Sequence, residues 1–254
     1  MTDASLPQLV SRLRAAGCVY AEEEAALLVA EAATRAQLEE LIVRRIDGLP
    51  LEQVLGWAAF CGLRIVVRPG VFVPRRRSEF LAHQAIARTR ATSVVVDLCC
   101  GTGALGAAVR AARPGIELYA ADIDPAEVEC ARRNLGDCVY EGDLFAALPA
   151  ELQGRIDVLV VNAPYVPTDN VALMPPEARL HEAPVALDGG PDGLDIQRRV
   201  IAGAPSWLAP GGAVLIETSV RQAPVSVDLL ARTGLSTQLM RDENLDATVV
   251  IGTA

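Results

Sequence analysis

An aliphatic run that ends in a glycine-rich turn constrains the fold of this chain most strongly. Val94–Leu98 contains four aliphatic residues and one acid, and Cys99–Gly103 follows it directly. Glycine lets a ligand approach the backbone, and the N-terminus of a helix attracts a negative group. The sequence therefore predicts a buried strand at Val94–Leu98, a ligand-binding turn, and a helix over Gly103–Ala112.

The chain beyond this turn alternates between short aliphatic runs and longer amphipathic runs. Such alternation is typical of a mostly parallel sheet with helices on both faces, and the short runs near the C-terminus favour an added antiparallel edge. The predicted strands are Ile116–Ala121, Cys138–Tyr140, Ile156–Val161, Ala213–Glu217, Leu239–Met240 and Thr248–Ile251, and the predicted helices are Pro125–Asn134, Leu194–Trp207 and Ala223–Arg232.

The first 50 residues follow a helical pattern instead. Ser5–Gln8 and Thr34–Gln37 each have the form of a capped helix start. Glu22–Glu24 suits the first turn of a helix between them, because acidic side chains are favoured at a helix N-terminus. Gly17 and Gly48 are expected to end helices.

A strand-like stretch separates the helical part from the rest of the chain. Leu63–Arg68 alternates loosely, and Val71–Val73 follows after Pro69-Gly70, which predicts a β-hairpin. A helix is expected from Glu79 to Arg88. The predicted organisation is a helical N-terminal domain at 1–50, a linker hairpin at 51–74 and an α/β domain at 75–254.

Composition excludes several classes of function. The net charge of −9 argues against a wide nucleic-acid-binding surface, which needs clustered Lys and Arg. Six cysteines without a C-x-x-C pair, together with only two histidines, make a zinc site unexpected, and no metal site is predicted. No apolar run is long enough to span a bilayer, so we expect a cytoplasmic protein with reduced cysteines and no membrane partner.

The ligand of the glycine turn is open to two interpretations. Gly101, Gly103 and Gly106 have the spacing of a dinucleotide fingerprint, which would suit a nicotinamide oxidoreductase. Asp97, an acid at the end of the strand just before the turn, argues against that interpretation.

The segment from Asp97 to Gly103 resembles motif I of class I methyltransferases, which use S-adenosylmethionine. This resemblance implies an α/β, Rossmann-like fold with a mostly parallel seven-stranded sheet. It also implies that Asp97 lies near the methionine ammonium, that Asp122 accepts hydrogen bonds from the ribose hydroxyls, and that Asp143 lies on the adenine side, although a simple turn role for Asp143 stays open. The predicted cofactor site comprises Asp97, Cys99, Gly101, Thr102, Gly103, Asp122, Ile123, Asp143, Leu144 and Asn162.

The segment Asn162-Ala163-Pro164-Tyr165 follows a predicted strand and resembles the Asn-Pro-Pro-Tyr motif of amino-methyltransferases. Such enzymes modify planar nitrogens, and the resemblance implies that these four residues are catalytic. The Asn162 side-chain oxygen and the Ala163 carbonyl can each accept one N–H of an amide, and Tyr165 can pack on its flat face. Ala163 departs from the family's proline, which removes a fixed φ but leaves the carbonyl acceptor. An ordinary turn at the end of a strand is the alternative.

Two further stretches, 53–75 and 182–194, resemble the release-factor glutamine methyltransferases, which modify glutamine at its N5 nitrogen. This resemblance implies a class-1 peptide chain release factor as partner, with its Gly-Gly-Gln motif as substrate and no direct contact with nucleic acid. Ala163, the Cys99-Cys100 pair and Arg76-Arg77-Ser78 depart from the family and suggest a divergent branch. Arg75–Arg77 is interpreted as a solvated charge run, with contact to an acidic partner as the alternative. A nucleic-acid amino-methyltransferase and a cofactor-binding scaffold with weakened chemistry remain alternative functions.

Overall fold

The computed structural model describes residues 6–254, and the N-terminal part of this range is helical. Thr34 begins the third helix as its N-cap, because Thr34 Oγ1 accepts a hydrogen bond from Gln37 N at 3.2 Å. Ser5, part of the first predicted capping box, lies outside the described residues. A short fourth helix was not predicted. The four helices are α1 (Leu6–Ala15), α2 (Ala21–Glu31), α3 (Arg35–Ile46) and α4 (Leu51–Leu55).

A buried ion pair joins the N-terminal helices to each other and to a distant part of the chain. Arg45 on α3 donates to both carboxylate oxygens of Glu24 on α2, at 2.6 and 3.1 Å. The same guanidinium lies 2.7 Å from Glu177. Gln53 on α4 adds a second link, because its Nε2 donates to the carbonyl of His181 at 3.0 Å. The helical part is therefore tied to residues 177–181 by an ion pair and a hydrogen bond.

The linker contains a hairpin, but its strands differ from the predicted ones. Strand β1 (Trp57–Phe60) pairs antiparallel with β2 (Leu63–Val66), and Cys61 and Gly62 form the turn between them. Both turn residues have positive φ, 48° and 76°, as a two-residue hairpin turn matched to strand twist requires. The predicted second strand, Val71–Val73, is instead an irregular segment. The alternation in the sequence indicated β2 but did not identify the strand that pairs with it.

Seven strands form one sheet in the order β5-β4-β3-β6-β7-β9-β8. The first five strands in this order are parallel, and β9 and β8 complete an antiparallel edge. The predicted α/β fold is thus confirmed, and β7 begins five residues before its predicted start. The strands are β3 (Val94–Leu98), β4 (Glu117–Asp122), β5 (Val139–Glu141), β6 (Ile156–Val161), β7 (Leu208–Glu217), β8 (Ser236–Asp242) and β9 (Ala247–Thr253).

Helices cover both faces of the sheet because the strand side chains alternate between two cores. On β6, Val158 and Val160 join the core on one face, whereas Leu159 and Val161 join the core on the other. Nearly continuous aliphatic strands are what a sheet buried on both faces needs. The remaining helices are α5 (Ser78–Arg88), α6 (Ala104–Ala112), α7 (Pro125–Leu135), α8 (Thr168–Val171), α9 (Pro176–His181), α10 (Asp195–Trp207) and α11 (Ala223–Arg232).

The strand order reverses between β3 and β6, which lie side by side although β4 and β5 separate them in the chain. In open α/β sheets, ligands bind at the carboxyl ends of the strands near such a reversal. The turns after β3, β4, β5 and β6 therefore meet at one edge. Across residues 6–254, none of the helices combines the length and apolar character needed to cross a membrane.

Candidate active site

A cleft lies at the carboxyl edge of the sheet, where the turns after β3 to β6 meet. Phe72 from the linker and residues from the loop after β6 close its sides. Most of the predicted site residues line this cleft: Cys99, Gly101, Asp122, Ile123, Asp143, Leu144, Asn162, Ala163, Pro164 and Tyr165. The predicted residues Asp97, Thr102 and Gly103 are not among those that line it.

The glycines of the turn after β3 do different things. Gly101 borders the cleft, and the nearest atom to a Cβ placed there would be Glu127 Oε2 at 3.7 Å. A Cβ at Gly103 would lie only 2.7 Å from Leu135 Cδ1. Gly101 thus keeps the cleft wall open, whereas Gly103 permits close packing of α6 on α7. Cys99 adopts φ of 58°, which is unusual for a residue with a side chain.

Asp97 is completely buried beneath this turn. Its Oδ2 accepts a hydrogen bond from Gly106 N at 2.8 Å, in the first turn of α6, where a carboxylate is favoured by the helix dipole. Its Oδ1 has no hydrogen-bond partner in the described part of the chain. Burial raises the pKa of Asp97 to about 8. In the structure, Asp97 is therefore seen holding the turn and the start of α6.

Asp122 is the last residue of β4, and its carboxylate accepts hydrogen bonds from the turn after β3 and from the start of the next loop. Its Oδ2 accepts a hydrogen bond from Gly101 N at 2.8 Å, and its Oδ1 accepts one from Asp124 N at 3.0 Å. Burial raises the pKa of Asp122. Asp124 is the N-cap of α7, because its Oδ1 accepts from Ala126 N at 2.8 Å. The carboxylate of Asp122 thus links the ends of two neighbouring strands at the cleft.

Asp143 and Leu144 follow β5 on the same side of the cleft. The carboxylate of Asp143 forms an ion pair with Arg199 on α10, with Nη2 and Oδ2 2.7 Å apart. Leu144 has a positive φ of 51°. Ile123 is 52% exposed, so an apolar side chain faces open space beside the two acids.

The motif after β6 presents an unoccupied pair of acceptors. The Asn162 amide nitrogen donates to Ser78 Oγ at 3.4 Å, which leaves Asn162 Oδ1 as an acceptor. Ala163 is buried, and neither its N–H nor its carbonyl takes part in a hydrogen bond within residues 6–254. The Tyr165 carbonyl accepts a hydrogen bond from Gln222 Nε2 at 2.9 Å, which fixes the backbone just beyond the motif.

Tyr165 is held by two charged residues that the sequence interpretation did not place at the site. Its hydroxyl donates to Glu217 Oε1 at 3.1 Å, and the Arg77 guanidinium lies 5.8 Å from the centre of its ring. Arg77 Nε also donates to Glu217 Oε1, at 3.4 Å. Burial, with the Glu217 charge, raises the pKa of Tyr165 well above its usual range. Tyr165 therefore stays protonated and donates to Glu217.

The interpretation of Arg75–Arg77 as a solvated charge run is wrong for two of its three residues. Arg75 forms an ion pair with Glu182, whose side chain is completely buried, at 2.6 Å. Arg77 pairs with Glu217, which is also buried. Arg76 and Arg77 are both exposed, but Arg76 forms no ion pair within residues 6–254. The two partners are more than 100 residues away in sequence, so a local charge pattern could not reveal them.

Several cleft residues were missed by the sequence analysis, among them Phe72, Glu127, Arg199 and Glu217. A signal existed for Glu217. It closes β7 as Asp122 closes β4, and polar residues at the ends of adjacent parallel strands meet at one edge. No comparable sequence pattern identifies Glu127, Arg199 or Phe72 as site residues.

The chain matches the family model of the methyltransferase small domain over residues 62–192. The match begins in the hairpin turn and spans β2, the glycine turn and the motif after β6.

Three bacterial relatives are similar over most of their length, and each is named a release factor glutamine methyltransferase. The protein of Geobacter sulfurreducens is 35% identical over 76% of this chain and 69% of its own. That of Gloeobacter violaceus is 40% identical over 79% and 72% of the two chains. That of Cereibacter sphaeroides is 33% identical over 91% and 90%.

Solved structures share the fold at lower sequence identity. A methyltransferase from Pyrococcus furiosus superimposes with a TM-score of 0.57 at 18% identity, over 76% of this chain and 89% of its own. A ribosomal protein L11 methylase from Lactobacillus delbrueckii gives a TM-score of 0.53 at 19% identity, over 75% and 84% of the two chains. These two likenesses concern the fold alone.

Proposed function

This chain belongs to the release factor glutamine methyltransferases, and on that premise we propose that Asn162–Tyr165 orients a glutamine side-chain amide of a protein for N5-methylation by S-adenosylmethionine. The observation that carries the proposal is the pair of unoccupied acceptors in this motif, Asn162 Oδ1 and the Ala163 carbonyl, on the wall of the cleft. Two acceptors match the two N–H groups of a primary amide.

The residues at the strand ends fit the proposed cofactor. S-adenosylmethionine supplies a methyl group on a positively charged sulfur. Gly101 contributes no side chain to the wall of the cleft, and Asp122 and Asp143 place carboxylate acceptors on the neighbouring wall. Asp122 is the proposed partner of the ribose hydroxyls, and Ile123, half exposed beside it, is the proposed apolar contact of the adenine. Asp97 and Gly103 contribute by shaping the turn.

The chain activates the amide by orientation. The nitrogen of an amide is a weak nucleophile because its lone pair is delocalised into the carbonyl. Acceptors at Asn162 Oδ1 and Ala163 O hold both N–H bonds and direct the nitrogen at the cofactor side of the cleft. Ser78 keeps the Asn162 amide in the required orientation, because it accepts from Nδ2. Fixed dipoles of this kind act without a strong base at the site.

Tyr165 supplies the face on which the planar amide packs. Its ring is anchored at the hydroxyl by Glu217 and at the main chain by Gln222. A ring fixed at both ends restricts the amide to one plane, which lowers the entropy lost on reaching the reactive geometry.

The proposed protein substrate is a class-1 peptide chain release factor, modified at the glutamine of its Gly-Gly-Gln motif. The names of the relatives from Geobacter sulfurreducens and Gloeobacter violaceus support this choice. The N-terminal helices are the proposed recognition domain for the protein substrate.

The test is methylation of a purified class-1 release factor from the same source in the presence of S-adenosylmethionine, with the Gly-Gly-Gln peptide read by mass spectrometry. One added methyl on that glutamine is expected. Asn162→Ala should abolish it, whereas Asn244→Ala, in an exposed turn between β8 and β9, should not. Transfer of labelled methyl into RNA or DNA but not into protein would contradict the proposal.

A further inference from the structure

Glu127 is a buried acid with one unused oxygen. It lies in the first turn of α7 and is only 1% exposed. Its Oε1 accepts a hydrogen bond from Phe72 N at 2.5 Å, which ties the linker to α7. Its Oε2 has no partner in the described part of the chain. A buried polar atom without a partner costs free energy, so this oxygen calls for an explanation.

The unused oxygen lies at the proposed cofactor cleft. Glu127 lines that cleft together with Gly101 and Asp122. A Cβ placed on Gly101 would be 3.7 Å from Glu127 Oε2, so this oxygen lies close to the part of the wall that Gly101 forms. The link to Phe72 alone uses Oε1 and leaves the position of Oε2 unexplained.

The character of Glu127 favours a hydroxyl over a cation as its ligand. Burial raises the pKa of Glu127 to about 8, and the charge of Asp122 adds to this effect. A carboxyl near its pKa is present in both protonation states. A hydroxyl can donate to the ionised form or accept from the protonated form, whereas an ammonium group forms an ion pair only with the ionised form.

We propose that Glu127 Oε2 forms a hydrogen bond with one ribose hydroxyl of the nucleoside cofactor, so that Asp122 and Glu127 together bind the two neighbouring hydroxyls of the ribose. This inference rests on the proposed function, because it assumes that an adenosyl cofactor occupies the cleft. Glu127 would then have two tasks: Oε1 holds the linker over the cleft, and Oε2 contacts the ligand that the linker covers.

The experiment combines a change in the protein with a change in the ligand, and the affinity of each combination is measured by calorimetric titration. The ligands are S-adenosylhomocysteine and its 2′-deoxy and 3′-deoxy analogues. In the wild-type chain, removal of the hydroxyl that Glu127 contacts should weaken binding about tenfold. In Glu127→Ala the same removal should change binding less than about twofold, because the partner is already gone. Glu129→Ala, on the exposed side of α7, should reproduce the wild-type pattern.

Coupling to a single hydroxyl distinguishes ligand contact from a structural role. If Glu127 only held Phe72, Glu127→Ala would weaken all three ligands by the same factor, and that result would overturn the inference. Glu127→Leu fills the buried space without a polar atom and serves if the alanine variant does not fold. The factor by which binding weakens on removal of the hydroxyl should be at least about threefold smaller in this variant than in the wild type. An unchanged factor would also overturn the inference.

Failure of the proposed function gives a different result. A wild-type chain that binds none of the three ligands would overturn the cofactor assignment and the Glu127 inference together. A wild-type chain that binds S-adenosylhomocysteine but shows no preference for either hydroxyl would overturn the Glu127 inference alone.

Discussion

The hydroxyl of Tyr165 donates to Glu217 Oε1 at 3.1 Å, which links the end of the motif after β6 to the end of β7. Glu217 is 2% exposed, and its second oxygen has no partner within residues 6–254. Arg77 supplies the opposite charge to this buried acid. The position of the tyrosine ring in the cleft therefore depends on an acid and a base that lie far from it in sequence.

Tyr165→Phe should lower kcat/KM for the release factor about fivefold. The ring remains to pack on the amide, but its anchor is lost, and one hydrogen bond contributes about 1 kcal/mol. Tyr119→Phe is the matched control, because Tyr119 also donates to a glutamate, Glu117, but at an exposed site outside the cleft. Steady-state methylation kinetics would measure both, and equal effects of the two changes would contradict the role of the anchor.

Ala163→Pro should leave kcat unchanged or raise it. The Ala163 N–H makes no hydrogen bond in the described residues, so proline removes no bond, and the carbonyl acceptor remains. A residue with restricted φ should also add about 0.5 kcal/mol to the free energy of unfolding. Single-turnover methylation and urea unfolding would measure the two quantities. A large loss of kcat in a folded variant would mean that this site relies on a backbone geometry that proline cannot adopt.

Replacement of Cys99 should give an unusual order of stability. Because Cys99 has a φ of 58°, the glycine variant should be more stable than the alanine variant by about 1 kcal/mol. Cys138 is not among the residues with positive φ, so there the alanine variant should be the more stable by about 0.5–1 kcal/mol. Urea unfolding of the four variants would measure this, and the same order at both positions would contradict strain at Cys99.

The stability of the ligand-free protein should fall as the pH rises from about 4 to 8. The pKa of Asp97 is raised from 3.8 to about 8 by burial, so over this range the folded chain keeps a proton that the unfolded chain releases. Asp97→Asn keeps an acceptor for Gly106 and removes the titration. Urea unfolding at pH 5 and pH 8 should therefore show a smaller loss in the variant than in the wild type, by more than about 1 kcal/mol. Equal losses would mean that Asp97 is ionised in the fold.

Arg45→Met should lower the free energy of unfolding by about 3–5 kcal/mol, because Glu24 would remain buried without its partner. Arg12→Met is the control, since Arg12 pairs with Glu39 at the surface and such pairs contribute less than about 1 kcal/mol. Chemical unfolding would measure both. A loss for Arg45→Met as small as that for Arg12→Met would show that Glu24 finds water or another donor.

The sheet could be predicted because most of its strands are recognisable from their own residues, as short aliphatic runs. Val94–Leu98 and Ile156–Val161 have the predicted bounds, since aliphatic runs of strand length next to glycine or asparagine turns leave few alternatives. The hairpin was mispredicted because Pro69-Gly70 has the sequence of a turn, whereas Cys61-Gly62 forms the actual one. The short helices α8 and α9 lack an apolar period, so the sequence predicted no helix there.

The candidate site was predictable where its residues end a strand, as Asp122 does, or follow one, as Asp143 and Asn162 do. It was not predictable where side chains arrive from elsewhere. Arg75 meets Glu182 across 107 residues, and Arg77 meets Glu217 across 140. Such pairs depend on tertiary packing, which a local pattern of residues does not encode.

The contacts of Arg45 with Glu177 and of Gln53 with the His181 carbonyl limit how this chain can be recombined with its relatives. A chimera that receives foreign N-terminal helices would keep residues 177–181 but lose the donors that hold them. The N-terminal helices and α9 therefore have to be exchanged together, although most strands of the sheet are encoded between them. Transplanting the two pieces together would test the proposed recognition role of the helices while preserving the cleft.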